Sequence, residues 1–478
     1  MKNVRVATRR LTFGFKGIVN RKEENTLGWE YSPAAFNFAF EKGALTGGIG
    51  IEKARGYLPD TGVTRLEYDP LPEGVYAKAV FMYQRRTNGQ YDDRLVVQSP
   101  SGDLYYTTVF SYAGWTKIEG YTLTGDATAV NYNYNGKDVL IMSSAECNLA
   151  ILDGDTVTSV PNAPRFSSLT VHYERVYGCH NGSKNQVWFS DDFDPSNWTA
   201  SSEAGGFINF ADECGDTIAV VSFLNYLYVF REHGIFRLTA FGDQNEFSIK
   251  KLFIGSERIY KHTIALCGDR IMFLADDGMH AFDGYSVTDV VPELPFITFK
   301  QNAVGTYQGR HYYLACSIDI GELNKGSYYN NTLLRYDLED GTMETLSGYD
   351  IVSVNPCRSH NADDLIVSTG DLRYASLLGM VSDCGKFYST PTEKIYRGPY
   401  GDLGSGRPKV VREVTVHTRY PVDVVLVADG KRYTRHLEGA DAPQTLFFGR
   451  GGLKVGLELR TDNASALVTP LSANVDFL

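Results

Sequence analysis

The twelve residues VWFSDDFDPSNW, Val187 to Trp198, set Asp191, Asp192 and Asp194 among four aromatic side chains. Such a group of carboxylates could hold a cation or divide acid and base duties. A calcium loop of the helix–loop–helix kind needs a central Gly and a closing Glu, and both are missing here. A catalytic dyad needs two carboxylates in different environments, so that their pKa values part. Adjacent strand residues point to opposite faces instead. Asp-Pro starts a turn unaided. The stretch is therefore expected to be a structural turn carried by Ser190, Asp192, Asp194, Pro195 and Trp198, with an Asp capping it and the tryptophans wedged beside a neighbouring sheet. The other acidic pairs, Asp92-Asp93, Asp276-Asp277 and Asp363-Asp364, are likewise expected at hairpin tips, satisfied by water and turn amides.

The remaining reactive residue types are dispersed. Nine histidines show neither HExxH nor HxH spacing, so no local zinc motif is present. Cys179 and His180 are neighbours, which points a strand thiol and imidazole to opposite faces. The seven cysteines form no CxxC, and small buried thiols in a reducing compartment are expected. GALTGGIGIEKARG (43–56) is glycine-rich but lacks the Lys-Ser/Thr ending of a phosphate cradle. No cofactor, metal or catalytic residue is assigned.

The chain has 478 residues, 43% hydrophobic, with 31 Tyr, 26 Phe and 47 Gly and a net charge of −11. That is enough for a large core and more than one domain, and the acidity argues against general nucleic-acid binding. No run of apolar residues is long enough to span a bilayer, and no secretory leader is expected. Short apolar runs are cut by Asn88-Gly89, Asn135-Gly136, Asp153-Gly154, Asp277-Gly278, Asp429-Gly430 and similar pairs, which supply positive φ for tight hairpins. Units begin near 79, 129, 168, 217, 262, 302 and 350, a period of about 45 residues. LNYLYVFREHGIFRLTAF (224–241) and GDRIMFLADDGMHAFDGY (268–285) form a matched pair. A four-stranded unit of this length cannot bury both its faces, but a closed ring of such units can. The expected fold is all-β: an irregular six- or seven-bladed β-propeller over 76–397, preceded by an irregular docking segment (1–75). It is followed by a C-terminal β-sandwich-like module (398–478). Residues 1–22 carry seven basic side chains and no acid. Arg5, Arg9 and Arg10 are expected to form an assembly arm.

Two resemblances follow. Ser190, Asp192 and Trp198 resemble the S-x-D-x-G-x-T-W box of sialidase-type propellers, without its Gly and one residue too long. More extensively, Gly17-Ile18-Val19-Asn20, Ala35-Phe36-Asn37 with Gly43, Leu45 and Gly50, and Glu174-Arg175 with Val187, Trp188, Ser190, Asp194, Pro195 and Trp198 resemble the motifs of phage tail nozzle proteins (tail tubular protein B, packaged-DNA stabilisation protein). FLNYLYVFREHGIFRL resembles the next blade of that family. The resemblance implies a virion protein assembled in the bacterial cytoplasm. It also implies a homo-oligomeric, hexameric ring that meets other tail or head–tail connector proteins, retains the genome and passes DNA without base-specific contact or membrane insertion. An acidic wall would suit a DNA conduit, because it repels phosphates. The alternative is a glycan-binding or sialidase-like propeller at the tail tip, which would require three convergent arginines and a Tyr–Glu pair.

Overall fold

Hairpins whose burial alternates along each strand must stack side by side to cover their apolar faces, and the computed structural model shows how they do so. It describes residues 6–19, 27–56, 66–109, 114–201, 204–242, 244–292, 297–323, 329–360 and 362–478. Among these residues, regular structure is strand, relieved only by short 3₁₀ turns. Two compact units emerge. One comprises 53–317 and 350–380, the other 1–52, 318–349 and 381–478. This differs from the expected division at 75 and 397.

The first unit is a ring of seven blades. Its innermost strands are Ala79–Tyr83, Ala127–Tyr134, Phe166–His172, Thr217–Phe223, Ala265–Cys267, Val304–Gln308 and Ile351–Arg358. Each begins within three residues of its anticipated start. Blades 1 to 5 are four-stranded antiparallel meanders. The matched pair of sequences forms the second and third strands of blades 4 and 5, Tyr226–Arg231 with Gly234–Thr239 and Arg270–Ala275 with Gly278–Phe282. Asn88-Gly89 and Asn135-Gly136 have φ of 52° and 80°, and 53° and 74°, the left-handed pair a two-residue hairpin needs.

Apolar layers join successive blades. Val96 and Leu140 lie between blades 1 and 2, Ile151 and Val176 between 2 and 3, Val187 and Val229 between 3 and 4, Phe230 and Phe273 between 4 and 5. Polar side chains lock the innermost strands together. Gln84 N–H donates to Asn131 Oδ1 (2.9 Å), Leu169 N–H to Thr128 Oγ1 (3.2 Å) and Val220 N–H to Ser168 Oγ (3.3 Å). The Tyr312 hydroxyl donates to Thr263 O (2.7 Å), and Gln308 Nε2 donates to Asp363 O (2.6 Å), carrying the ring through blades 5, 6 and 7.

Closure joins blade 7 to blade 1. Val80 and Leu95 pack with Cys357 and Ile366. Val80 N–H donates to Asn355 Oδ1 (3.3 Å), Ala54 N–H to Leu378 O (2.8 Å) and Leu71 N–H to Ser376 O (2.7 Å). Asp93 is fully buried at this seam. Its carboxylate accepts from His360 N–H (2.6 Å), His360 Nδ1 (2.7 Å) and Arg85 N–H (2.9 Å). Asp93 therefore departs from the water-satisfied hairpin tip expected for the acidic pairs. Ring closure brings a partner 267 residues away over it.

The second unit is a sandwich. One sheet holds Lys409–Thr418, Gln444–Gly452 and Leu467–Phe477, with Ala7–Phe13 paired along Leu467–Phe477. The other holds Ala34–Phe36, Lys394–Arg397, Val422–Ala428, Lys431–Leu437 and Val455–Thr461. Phe13, Phe15, Val414, Val424, Leu459 and Val475 share its core. The N-terminal segment is thus partly ordered sheet rather than irregular. Phe13 alternates inward beneath an exposed run, and the long apolar face of Leu467–Phe477 offers it a place.

Candidate functional site

The corner at Ser190–Trp198 joins the third and outer strands of blade 3. Ser190 is buried, its Oγ accepting from Val176 N–H (3.0 Å) and donating to Asp191 O (3.0 Å). Asp194 Oδ1 accepts from Ser196 N–H (3.0 Å) and Ser196 Oγ (2.6 Å), while Asp191 accepts from Asp192 N–H (2.8 Å) and Asn197 Nδ2 (3.0 Å). Trp198, 2% exposed, packs at 4.6 Å from Phe166, and its Nε1–H donates to Pro195 O (2.8 Å). Trp198 lies in the layer between blades 2 and 3, and Trp188 is partly buried against the same layer. The capping falls to Asp191 and Asp194. Asp192 instead forms an ion pair with Arg175 Nε at 2.6 Å.

That pairing recurs. Arg231 is wholly buried and meets Asp212 Oδ1 at 2.5 Å, Gly215 O at 2.9 Å and Asn185 Oδ1 at 3.2 Å. Arg94 meets Asp155 at 2.7 Å and Asp92 at 3.2 Å. Hydrogen bonds from Tyr106 and Arg94 hold the Asp155 carboxyl below its ordinary range. Each of the three buried arginines is engaged by carboxylates and carbonyls. Arg175 brackets its own blade, whereas Arg94 reaches from blade 1 to the Gly154-Asp155 turn of blade 2, and Arg231 reaches from blade 4 to Asn185 of blade 3. No short motif signals these brackets; only the fold shows which acid meets which arginine.

His172, His180, His280 and Cys179 are also held within the fold. His172 Nδ1 meets Ser222 Oγ at 2.8 Å, and burial pushes its imidazole down to about 4. His280 lies between Asp277 (2.7 Å) and Asp289 (3.1 Å). Burial pushes the Cys179 thiol up to about 12, while His180 Nδ1 accepts from Gly182 N–H (2.7 Å) and Ser183 N–H (2.8 Å). Among the described residues, no group of three His, Cys, Asp or Glu side chains could hold a metal, and no helix is long and apolar enough to cross a membrane.

The ring axis encloses a cavity of about 860 Å³ whose wall includes Met82, Asn131, Leu169, Leu266, Tyr307 and Arg358. Among the described residues that line it, Arg358 is the only charged side chain. The space suits a small molecule or ordered water rather than a polyanion. Arg9 and Arg10 lie on the strand Ala7–Phe13 of the other unit. Arg9 stacks 4.9 Å over Phe477, and Arg10 donates to Ser472 Oγ (3.1 Å). Arg5 falls outside the described residues.

No family model and no curated protein matches the chain. Among solved structures it is similar to the extracellular domain of the one-component system BT4673 from B. thetaiotaomicron, at 9% identity and a TM-score of 0.45. That match covers 72% of this chain and 42% of the other, so the chain spans less than half the length of that protein. It is also similar to BBS1N, solved in complex with ARL6DN, at 10% identity and a TM-score of 0.42, covering 69% of this chain and 94% of the other. A third similarity is to YCF48 bound to D1 peptide, at 12% identity and a TM-score of 0.40, covering 68% and 97%. Likenesses at these values transfer no activity or partner to this chain.

Proposed function

We propose that this protein is a non-catalytic structural component of a phage tail, a nozzle or tail-tube subunit. Several copies form a ring that retains the packaged genome and conducts DNA at infection. The observation that carries this reading is the partition of charge. The propeller unit holds 35 acidic against 23 basic side chains, a net −12, whereas the sandwich unit holds 22 against 23, a net +1. A strongly acidic scaffold repels phosphates and lets a duplex slide. The near-neutral axial cavity of a single propeller is not that route. DNA would pass through a channel bounded by several copies, which is why the reading requires a ring. The motifs around Glu174–Trp198 support it from the sequence side, and the buried arginine brackets fit a scaffold built for rigidity.

Electron microscopy of the purified protein tests the reading. It expects closed rings with a central opening wider than a DNA duplex. Discrete monomers at every concentration, or hydrolysis of a glycan substrate, would sink it.

A further inference from the structure

Among the large apolar side chains exposed on the propeller unit, Tyr173, Phe193, Leu224, Phe241 and Tyr285, each 45% to 72% exposed, share one face of the ring. All lie in connections between the first and second, or third and outer, strands of blades 3 to 5. In an antiparallel meander those connections emerge on the same face. Contacts confirm the continuity. The Tyr173 and Phe241 rings are 5.1 Å apart, and Phe193 N–H donates to Glu174 O beside Tyr173 (3.2 Å). Leu224 Cδ1 lies 3.1 Å from the place a side chain on Gly284 would take, next to Tyr285.

Backbone conformation supplies an independent observation. Tyr173, Phe193 and Leu224 have φ of 51°, 56° and 47°, in the left-handed region that bulky residues avoid. Leu224-Asn225 forms a two-residue hairpin turn with both φ positive, the geometry that Asn88-Gly89 and Asn135-Gly136 adopt elsewhere in the ring. An Asn at these sites would relieve strain and remove apolar surface from water. Retaining large apolar groups there is unfavourable on both counts unless something covers them. Glu174 and Asp283 lie in the same connections, beside Tyr173 and Tyr285; Asp192, beside Phe193, is already paired with Arg175.

The sandwich unit offers the complement. Lys431–Leu437 and Gln444–Gly452 are the terminal strands of its two sheets, each with one unpaired edge. Arg450 stacks 5.7 Å over Tyr433, which places the two edges on one side. Together the strands contain Lys431, Arg432, Arg435, His436 and Arg450 and no carboxylate of their own. Arg432 pairs with Glu458 and Glu322, and His436 with Asp423 and Glu438, so Lys431, Arg435 and Arg450 carry the charge of this edge. Phe447 projects 71% exposed. We infer that the aromatic crescent of one copy docks the basic Lys431–Leu437/Gln444–Gly452 edge of a second copy. The contact is head-to-tail, so repetition with the right rotation closes a ring. This deepens the reading proposed above and rests on it for the association of copies.

Sedimentation velocity on the full chain tests the assignment with two variants. One is Tyr173→Asn/Leu224→Asn, the other Phe447→Ser/Arg435→Glu. Each is expected to weaken self-association at least tenfold, while the Asn variant keeps or raises the melting temperature. Mixed together, the two should form dimers and nothing larger, because each supplies the surface the other lacks. Wild-type rings that neither variant disturbs would overturn this surface and leave the ring reading standing. A wild-type chain that is monomeric throughout would overturn both. Asn substitutions that lower the melting temperature by several degrees would refute the strain argument, and the crescent with it.

Discussion

Asp93 offers the sharpest test of how the ring closes. Replacing it with Ala removes an acceptor that serves His360 N–H, His360 Nδ1 and Arg85 N–H, all at 2.9 Å or less, in a site closed to solvent. A buried donor left without a partner costs about 1–3 kcal/mol. Three such losses, partly relaxed, give about 3–5 kcal/mol, the range for breaking a buried charged contact. Asp93→Asn keeps the shape and one acceptor and should cost about 1–2 kcal/mol. The chain has two compact units, so a single unfolding midpoint would blur the effect. Amide hydrogen exchange reads it locally. Protection in Ala79–Tyr83 and Ile351–Arg358 should fall by about two to three powers of ten in Asp93→Ala, at a tenfold per 1.4 kcal/mol. Phe166–His172, on blade 3, should change far less. Seam protection within threefold of wild type, or an equal loss in blade 3, would refute the idea that this carboxylate clamps the seam.

Three further outcomes are expected. Trp198→Ala should cost about 3–5 kcal/mol by opening a cavity between blades 2 and 3, whereas Asp192→Ala, which leaves the buried Arg175 Nε–H without its carboxylate, should cost about 1–3 kcal/mol; thermal melts of both variants check this. His172 is held neutral down to about 4 in the fold but takes up a proton near 6.5 once unfolded. Stability should therefore fall as pH drops from 6.5 to 4, by about 3 kcal/mol, and His172→Gln should flatten that slope in melts across the same window. Phe13→Ala should destabilise the sandwich by about 3–5 kcal/mol, seen as a lower melting temperature, because Phe13 is core there and not part of a free arm.

Periodicity alone placed the blades. Alternation and Asn-Gly turns are local signals, and a repeat of constant length has few ways to hide its apolar faces. The role of Trp198 was legible for the same reason, since a tryptophan after a turn must be buried somewhere near. Three matters were decided by tertiary structure. The strand Ala7–Phe13 joins a sheet whose other members lie at the far end of the chain, and nothing in RRLTF announces that partner. Asp93 looks like a solvated turn residue until His360 is folded over it. The sequence expects an Asp to cap the corner without saying which; Arg175 captures Asp192 and leaves capping to Asp191 and Asp194. In each case the governing contact joins groups whose meeting the local pattern does not specify. Sequence fixes which surfaces need covering, and only the closed ring and the paired sheets select what covers them.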